Sequence, residues 1–232
     1  MISFVIPAHN EERLLASTLV ALQESARAVS QPFEVILVDD ASDDDTALIA
    51  AAHGARVVRV EHRHIAAARN AGAAAAIGQW LVFVDADTTV NPAVLRAAVQ
   101  ALQQGAVGGG ARISLQRDVA WPARWGAALL AHAFRMTGIA PGCFVFCTRA
   151  AFDQVGGFDP RYYAGEDVAL SRALARQGRF VILRETVHTS ARKLRTFSVR
   201  EHVWFLLRFA WRRQRLLTSR EHLDLWYGKR RD

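Results

Sequence analysis

The chain has 232 residues, of which 51% are apolar and 22% are charged, a composition typical of a folded globular protein. With 6 prolines, 15 glycines and 2 cysteines, it is not a collagen-like repeat, a low-complexity linker or a disulfide scaffold. No uncharged apolar run reaches the roughly 20 residues that cross a bilayer. The N-terminus lacks the basic start and apolar stretch of a secretory signal, so we expect a cytoplasmic protein.

The net charge of +7 arises in the last 40 residues. Residues 1–192 carry 18 basic and 18 acidic side chains, whereas residues 193–232 carry 11 basic and 4 acidic ones. If residues 197–217 form a helix, Arg208, Arg212 and Arg215 lie in one row along it. Trp204, Leu207 and Trp211 lie in an aromatic and apolar row beside it.

This pattern is typical of a membrane interface. We therefore expect residues 193–232 to form a basic, amphipathic, helical C-terminal extension that contacts anionic lipid through 197–217. The alternative is a helix that docks on the rest of the protein and shows its arginines to solvent. Nucleic acid is not an expected partner, because no recognised nucleic-acid-binding module accompanies the basic residues.

Hydrophobic periodicity predicts alternating strands and helices. Short apolar runs bounded by polar or turn-forming residues predict strands at 2–7, 34–38, 56–60 and 80–84. Segments of helical length lie at 11–30, 46–53 and 65–77. Further on, the pattern predicts helices at 92–104, 149–155 and 168–177, and strands at 111–115, 143–147 and 180–183. Residues 116–141 have weak periodicity, and we expect a segment that is mobile or faces an acceptor. Strands that alternate with helices indicate an α/β fold with parallel βαβ units.

Polar residues follow three of the predicted strands. They are Pro7-Ala8-His9-Asn10-Glu11, the acidic run from Asp39 to Thr46, and Asp85-Ala86-Asp87. Ligands of open α/β sheets bind beyond the carboxyl ends of the strands, so these clusters are expected to converge on one functional edge. Within the acidic run, we assign Asp39 to a ligand, as an acceptor for a base or ribose donor, and the other residues to a turn and a helix cap.

Asp85 and Asp87 place two carboxylates at the end of a buried strand. A divalent cation that borrows oxygens from a diphosphate requires only one or two carboxylates, which suits Mg²⁺ or Mn²⁺. The alternative is that these residues form a turn ahead of the helix that starts near Pro92. Taken alone, the short Asp-x-Asp motif favours the turn.

Arg69 and Asn70 lie on an alanine-rich helix that points toward the same edge. There a guanidinium can contact a diphosphate and an amide can orient neighbouring carboxylates, although an ordinary surface ion pair is the alternative. Glu166 and Asp167 open a later helix, where acids are favoured by the helix dipole and where Asp167 can also serve as a catalytic base. His188 is a candidate third ligand for Mn²⁺ or a structural histidine.

Six motifs occur in the order Pro7 to Glu11, Val38-Asp39-Asp40-Ala41-Ser42-Asp43, Arg69-Asn70-Ala71-Gly72, Asp85-Ala86-Asp87, Val155-Gly156-Gly157-Phe158 and Glu166-Asp167. In this order they resemble those of a family 2 glycosyltransferase of the GT-A fold. The resemblance covers about residues 1–192. It implies a Rossmann-like, mixed and mostly parallel sheet flanked by helices. Residues 1–90 would then form a nucleotide-binding half and residues 91–192 an acceptor half.

The resemblance also implies an activity: inverting, metal-dependent transfer of a sugar from a UDP- or GDP-sugar to an acceptor hydroxyl. Pro7, Ala8, Asn10, Glu11 and Asp39 would hold the nucleoside, Arg69 would help to cradle it, and Asp85 with Ala86 would meet the ribose. Asp87, joined by His188, would bind Mn²⁺ or Mg²⁺. Asp167 would be the base, with Glu166 orienting the site.

The processive polymer synthases of this family carry a Gln-x-x-Arg-Trp motif, which this sequence lacks. We therefore expect transfer of a single sugar. The expected acceptor is a lipid-linked or small-molecule alcohol, with the protein at the inner face of the membrane. The alternative function is a nucleotide-sugar-binding or membrane-interaction module without turnover. The set of Asp85, Asp87 and Asp167 favours the enzyme, because a module without turnover needs neither a metal carboxylate nor a base.

Overall fold

The structure is a computed structural model that describes residues 1–115 and 140–190. Its described strands are β1 Ile2–Ala8, β2 Phe33–Asp40, β3 Arg56–Val60, β4 Trp80–Val84, β5 Thr88–Thr89, β6 Gly108–Leu115, β7 Phe144–Thr148 and β8 Phe180–Thr189. Its described helices are α1 Glu12–Arg27, α2 Thr46–Ala52, α3 Ile65–Ala75, α4 Pro92–Gln103, α5 Arg149–Val155 and α6 Glu166–Ala175. The strands form one sheet in the order β3-β2-β1-β4-β7-β6-β8-β5.

The sheet is mixed and mostly parallel, as the sequence predicts. Strands β3, β2, β1 and β4 are parallel neighbours, and β8 is parallel to β6. Strand β7 runs antiparallel to both β4 and β6, and the short β5 pairs antiparallel with β8. The continuous apolar runs of β1 and β2 are buried because helices cover both faces of the sheet.

Two hydrophobic cores lie on opposite faces of the sheet. Successive side chains of β1 alternate between them, so Phe4 and Ile6 enter one core and Val5 enters the other. The first core contains buried residues of α1 and α4, and the second contains those of α3, α5 and α6. The amphipathic helices are therefore held by burial of their apolar sides against the sheet.

The strand order places a crevice beside the carboxyl end of β1. The chain moves outward from β1 through β2 to β3 and then returns to β4 on the other side of β1, which creates a topological switch point. Because β7 is antiparallel to β4, its first residues reach the same edge, and the Asp85 amide donates a hydrogen bond to the Cys143 carbonyl. Residues after β4 and before β7 are thus brought together.

Two strand boundaries differ from prediction by three residues or more. Strand β6 starts at Gly108 rather than at 111, because its glycines allow close approach, and a Cβ built on Gly109 would lie 2.2 Å from the Val181 carbonyl oxygen. Strand β8 continues to Thr189 rather than ending at 183, because it pairs with β6 and β5 over its polar second half. No helix within 1–115 or 140–190 is long and apolar enough to span a membrane. The basic extension and nearly all of 116–141 lie outside the described residues.

Candidate active site

The loops after β1 and β2 are bound to each other. Asn10 donates its amide hydrogen to Ser42 Oγ at 3.0 Å, and its side-chain oxygen accepts from the Asp43 amide at 2.8 Å. The Glu11 amide donates to Thr46 Oγ1 at 2.8 Å. Asn10 has a φ of 55°, a left-handed conformation that asparagine tolerates better than most residues. The predicted nucleoside segment is therefore held in one shape by the loop that follows β2.

Asp39 and its acidic neighbours have different partners. Asp39 is buried, and its Oδ1 accepts from the Ser42 amide at 3.2 Å. Asp40 accepts from the amides of Arg63 and His64 at 2.7 and 2.9 Å, which fixes the start of α3. Asp44 accepts from the Thr46 amide at the start of α2. Asp44 thus has the cap role predicted for this run, whereas Asp40 binds the residues before α3 and the local turn bond is accepted by Asp39. The ligand role of Asp39 stays a prediction.

Arg69 lies at the centre of a buried ion network. Its two terminal nitrogens donate to Asp85 Oδ1 at 2.8 Å, to Glu166 Oε1 at 2.7 Å and to the Gly142 carbonyl at 2.9 Å. The residue is 1% exposed, and its guanidinium carbon lies 5.1 Å from the centre of the Phe158 ring. The alternative of a surface ion pair is therefore wrong. Direct contact between Arg69 and a donor would require this network to open.

The charge of Arg69 is held in place by its carboxylate neighbours. Burial lowers the pKa of Arg69, but the charges of Asp85 and Glu166 outweigh this effect and raise the pKa overall. A buried guanidinium with two carboxylates links three separate segments, namely α3, the loop after β4 and the start of α6. The network thus brings Asp85 and Glu166 together, although 81 positions separate them in the chain.

The Asp85 to Asp87 segment forms the predicted turn and also presents carboxylates at the sheet edge. The Thr88 amide donates to the Asp85 carbonyl at 3.0 Å, which closes the turn. Asp87 receives two hydrogen bonds from Ser190, one from its hydroxyl to Oδ2 and one from its amide to the carbonyl. Ser190 follows β8, and nothing in the sequence pattern singles it out. Ala86 is buried between the two acids.

Two carboxylates on one loop fit a divalent cation that takes its remaining oxygens from a diphosphate and water. Within the described ranges, no three His, Cys, Asp or Glu side chains lie close enough to form a complete metal site of their own. His188 is an exposed residue on β8 opposite Thr89 of β5. Its role as a ligand stays a prediction, as does that of Asp87.

Glu166 and Asp167 form the first turn of α6. Gly165, with a φ of +77°, turns the chain into this helix. Asp167 Oδ1 accepts from the Val168 amide at 2.8 Å, and its carboxylate also accepts from the Gly142 amide. Burial raises the pKa of Asp167 to about 7, and the charge of Glu166 acts in the same direction, while Arg69 opposes both. A carboxylate with a pKa near neutrality has the property that a general base needs.

The side chain of Asn70 does not orient carboxylates, and that prediction is wrong. Its amide nitrogen donates to the Phe158 carbonyl at 2.8 Å, and its amide oxygen accepts from the Phe158 amide at 2.9 Å. Neighbouring helix residues point about 100° apart, so Arg69 and Asn70 reach different segments. Gly142, which binds both Arg69 and Asp167, is a further site residue that the sequence pattern does not identify.

Comparison with known proteins identifies the family. The family model described as glycosyl transferase family 2 matches residues 3–156. The chain belongs to this family. It is 40% identical over 104 residues to the succinoglycan biosynthesis protein ExoO of Rhizobium meliloti, covering 43% of this chain and 29% of that protein. It is 35% identical over 153 residues to an undecaprenyl-phosphate 4-deoxy-4-formamido-L-arabinose transferase of Pseudomonas paraeruginosa, covering 60% of this chain and 43% of that protein.

Solved structures show the same fold. The mannosyltransferase PcManGT of Pyrobaculum calidifontis, in complex with GDP-Man and Mn²⁺, matches with a TM-score of 0.65 at 22% identity. The match covers 98% of this chain and 63% of that one. Glucosyl-3-phosphoglycerate synthase of Mycobacterium tuberculosis has a TM-score of 0.60 at 24% identity and covers 82% of this chain and 70% of that one. The chain spans between 29 and 45% of the length of the first curated relatives that it matches.

Proposed function

We propose that this protein is an inverting, metal-dependent glycosyltransferase that moves a single sugar from a UDP- or GDP-sugar to an acceptor hydroxyl. The observation that carries this proposal is the arrangement of acids at the switch point of the sheet. Arg69 joins Asp85 to Glu166, and Asp167 stands next to Glu166 with a pKa raised to about 7. A binding module has no need of a neutral-pH base beside such a network.

In this proposal the donor lies at the carboxyl ends of β1, β2 and β4, within residues 1–90. The nucleoside and ribose would be held by Pro7, Ala8, Asn10, Glu11, Asp39, Asp85 and Ala86. Asp87 would hold Mn²⁺ or Mg²⁺, with His188 as a second protein ligand. When bound, the cation supplies positive charge that stabilises the departing nucleoside diphosphate. Structural neighbours in complex with UDP, or with GDP-Man and Mn²⁺, support donors and metals of these classes.

Asp167 would take the proton of the acceptor hydroxyl. The acceptor oxygen then forms a bond to the anomeric carbon as the bond from that carbon to the diphosphate oxygen breaks, so a single displacement inverts the configuration. Glu166 is fixed by Arg69 and would orient the acceptor side of the site, which we assign to residues 91–192. A base is required because an alcohol is a weak nucleophile at pH 7.

The acid pair favours a hydroxyl acceptor over a phosphate. Relatives are named as transferases for undecaprenyl phosphate and dolichyl phosphate. A phosphate monoester is already ionised at neutral pH, so it requires no base and is repelled by the carboxylates of Glu166 and Asp167. Arg69 is the cation that lies between these acids, and its terminal nitrogens are already bound to Asp85, Glu166 and the Gly142 carbonyl.

The names of these relatives also support an acceptor that carries a lipid, provided that the lipid is attached away from the reacting hydroxyl. We propose peripheral attachment of the protein to the inner face of a membrane, with residues 197–217 on anionic lipid. This part of the proposal is based on the sequence pattern, since the segment lies outside the described residues.

Sugar transfer with matched variants tests the proposed function. We would supply UDP-glucose, UDP-GlcNAc or GDP-mannose with Mn²⁺ and compare a polyprenol-linked sugar, which offers hydroxyls, with undecaprenyl phosphate. We expect transfer to the hydroxyl acceptor, inverted configuration in the product, and loss of transfer with retained donor binding in Asp167→Asn. Asp153→Asn makes the same change at an exposed position of α5 and is the control.

Each contrary outcome removes a defined part of the proposal. Wild-type turnover in Asp167→Asn removes Asp167 as the base. Transfer to undecaprenyl phosphate but not to the hydroxyl acceptor removes the acceptor class. Tight, metal-dependent binding of a donor that is never turned over favours the module without turnover.

A further inference from the structure

The side chain of Asn70 binds both backbone polar groups of Phe158, as a residue on a neighbouring β-strand would. Its side-chain amide satisfies both the N–H and the C=O of Phe158, at 2.9 and 2.8 Å. Phe158 is fully buried, so loss of the Asn70 amide leaves two backbone groups of a buried residue without their protein partner. Two backbone groups of one buried residue therefore depend on a single side chain of α3.

The Phe158 ring is fixed from the same helix and from the sheet. It packs edge-on against Phe83 of β4 with ring centres 4.9 Å apart, and Arg69 lies over its face at 5.1 Å. Seven residues after Phe158 the chain reaches Gly165 and enters α6, where Glu166 is bound to Arg69. The segment 158–166 is thus attached to α3 at both ends, by Asn70 at its start and by Arg69 at its end.

Gly157 allows Asn70 to come this close. A Cβ built on Gly157 would lie 2.8 Å from Asn70 Oδ1, and the residue has a φ of +75°. Both the space and the backbone conformation favour glycine at this position. Glycine at position 157 thus permits the close contact between Asn70 of α3 and the segment that leads to Glu166 and Asp167.

We propose that Asn70 is a positioning residue for sugar transfer, which clamps the segment 158–166 to α3 and thereby sets the place of Asp167 relative to Asp85. The side chain of Asn70 is bound to the backbone of Phe158, and we expect it to act through that residue rather than by touching the donor or the acceptor. Because α3 also contacts the end of β2 through Asp40, it connects the nucleoside side of the crevice with the acid pair. This inference rests on the proposed function.

The test compares Asn70→Leu with Gln23→Met. Leucine is close in shape to asparagine and removes both bonds to Phe158 without adding charge. Gln23 donates a hydrogen bond from its side-chain amide to the His53 carbonyl at 2.6 Å, in the second half of α1, so Gln23→Met removes a bond of the same kind away from the acid pair. Asn70→Asp is the second variant, for use if Asn70→Leu does not fold, because it keeps an acceptor for the Phe158 amide.

Two readouts are measured on the full chain. The first is hydrogen exchange of the amides in 158–167, which we expect to become at least tenfold faster in Asn70→Leu and to stay unchanged in Gln23→Met. The second is the rate of UDP or GDP release from the nucleotide sugars above. We expect kcat to fall about 10- to 100-fold, since an error of about 1 Å in placing a catalytic group costs about that much. The Kd for UDP or GDP with Mn²⁺ should change less than threefold.

A folded Asn70 variant with unchanged exchange in 158–167, or with unchanged kcat, overturns the inference. A loss of donor affinity that accounts for the whole loss of activity also overturns it, because Asn70 would then act on binding. Absence of turnover in the wild-type protein counts against the proposed function alone. In that case, hydrogen exchange still decides whether Asn70 holds the segment.

Discussion

Replacement of Asp167 by asparagine should make the protein more stable at pH 8 while removing transfer. In an unfolded chain an aspartate has a pKa of about 3.9, whereas burial and the charge of Glu166 raise the pKa of Asp167 to about 7. A raised pKa in the native state means that the stability contributed by the neutral acid is complete below about pH 4 and is lost as the pH rises through 7.

The size of the effect follows from the pKa. Each unit corresponds to 1.36 kcal/mol, so holding Asp167 ionised at pH 8 costs at most about 4 kcal/mol. Asparagine avoids this cost, but its neutral oxygen accepts more weakly from the amides of Val168 and Gly142 than the carboxylate does. This weakening costs about 1 kcal/mol for each hydrogen bond. We therefore expect Asp167→Asn to raise the free energy of unfolding by about 1 to 3 kcal/mol at pH 8, and by less as the pH falls toward 4.

Urea unfolding at pH 8 and pH 5, in EDTA and without nucleotide, measures this difference. Asp153→Asn, on the surface of α5, should leave the free energy of unfolding nearly unchanged at both values. Equal stability of Asp167→Asn and the wild type at pH 8 would refute the reasoning. So would a gain of the same size at pH 8 and pH 5, because it would not come from the ionisation of Asp167.

Three further results are expected from the same network. The rate of transfer should fall about tenfold for each pH unit below about 7, as Asp167 becomes protonated; a flat profile between pH 5 and 8 would contradict its role as the base. Gly142→Ala should lower kcat about tenfold while the Kd for the nucleotide stays unchanged, because the added Cβ would lie 2.9 Å from Asp167 Oδ2 and must displace that oxygen. A wild-type kcat in this variant would show that the position of the Asp167 carboxylate does not limit transfer. Arg69→Met should lower the free energy of unfolding, measured in urea, by about 3 to 5 kcal/mol, since it leaves the buried carboxylate of Glu166 and the partly buried one of Asp85 without their counter-charge; a loss below 1 kcal/mol would contradict this role of Arg69.

Most of the fold of residues 1–90 could be predicted from the sequence. Strands β3 and β4 were predicted with their observed bounds, and β1 and β2 were predicted within two residues. These strands are short, apolar and bounded by turn residues, so local pattern and tertiary structure agree. The same strands end in the acids and amides that meet at the switch point, which is why Asp39, Asp85 and Asp87 could be singled out.

The partners of Arg69 and Asn70 could not be predicted, because they depend on segments that are distant in sequence. Arg69 is one charged residue in an alanine-rich helix, and only the packing of α3 against the loop before α6 shows that it is buried rather than exposed. Ser190 and Gly142 belong to the site through the pairing of β8 and β7, which no local pattern encodes. The polar second half of β8 is a strand for the same reason.

We propose above all that the edge formed by Asp39, Asp85 and Asp87 binds a nucleoside diphosphate together with a divalent cation. A thermal-shift panel of UDP, GDP and TDP, each with Mn²⁺, Mg²⁺ or EDTA, measures this directly in the wild type and in Asp87→Ala. A ligand at a hundred times its Kd stabilises the native state by about 2.7 kcal/mol, which is easily resolved. We predict that one nucleotide stabilises the wild type only with metal and that Asp87→Ala loses this effect. Absence of a shift with every nucleotide, or an equal shift in EDTA and in Asp87→Ala, would contradict the account.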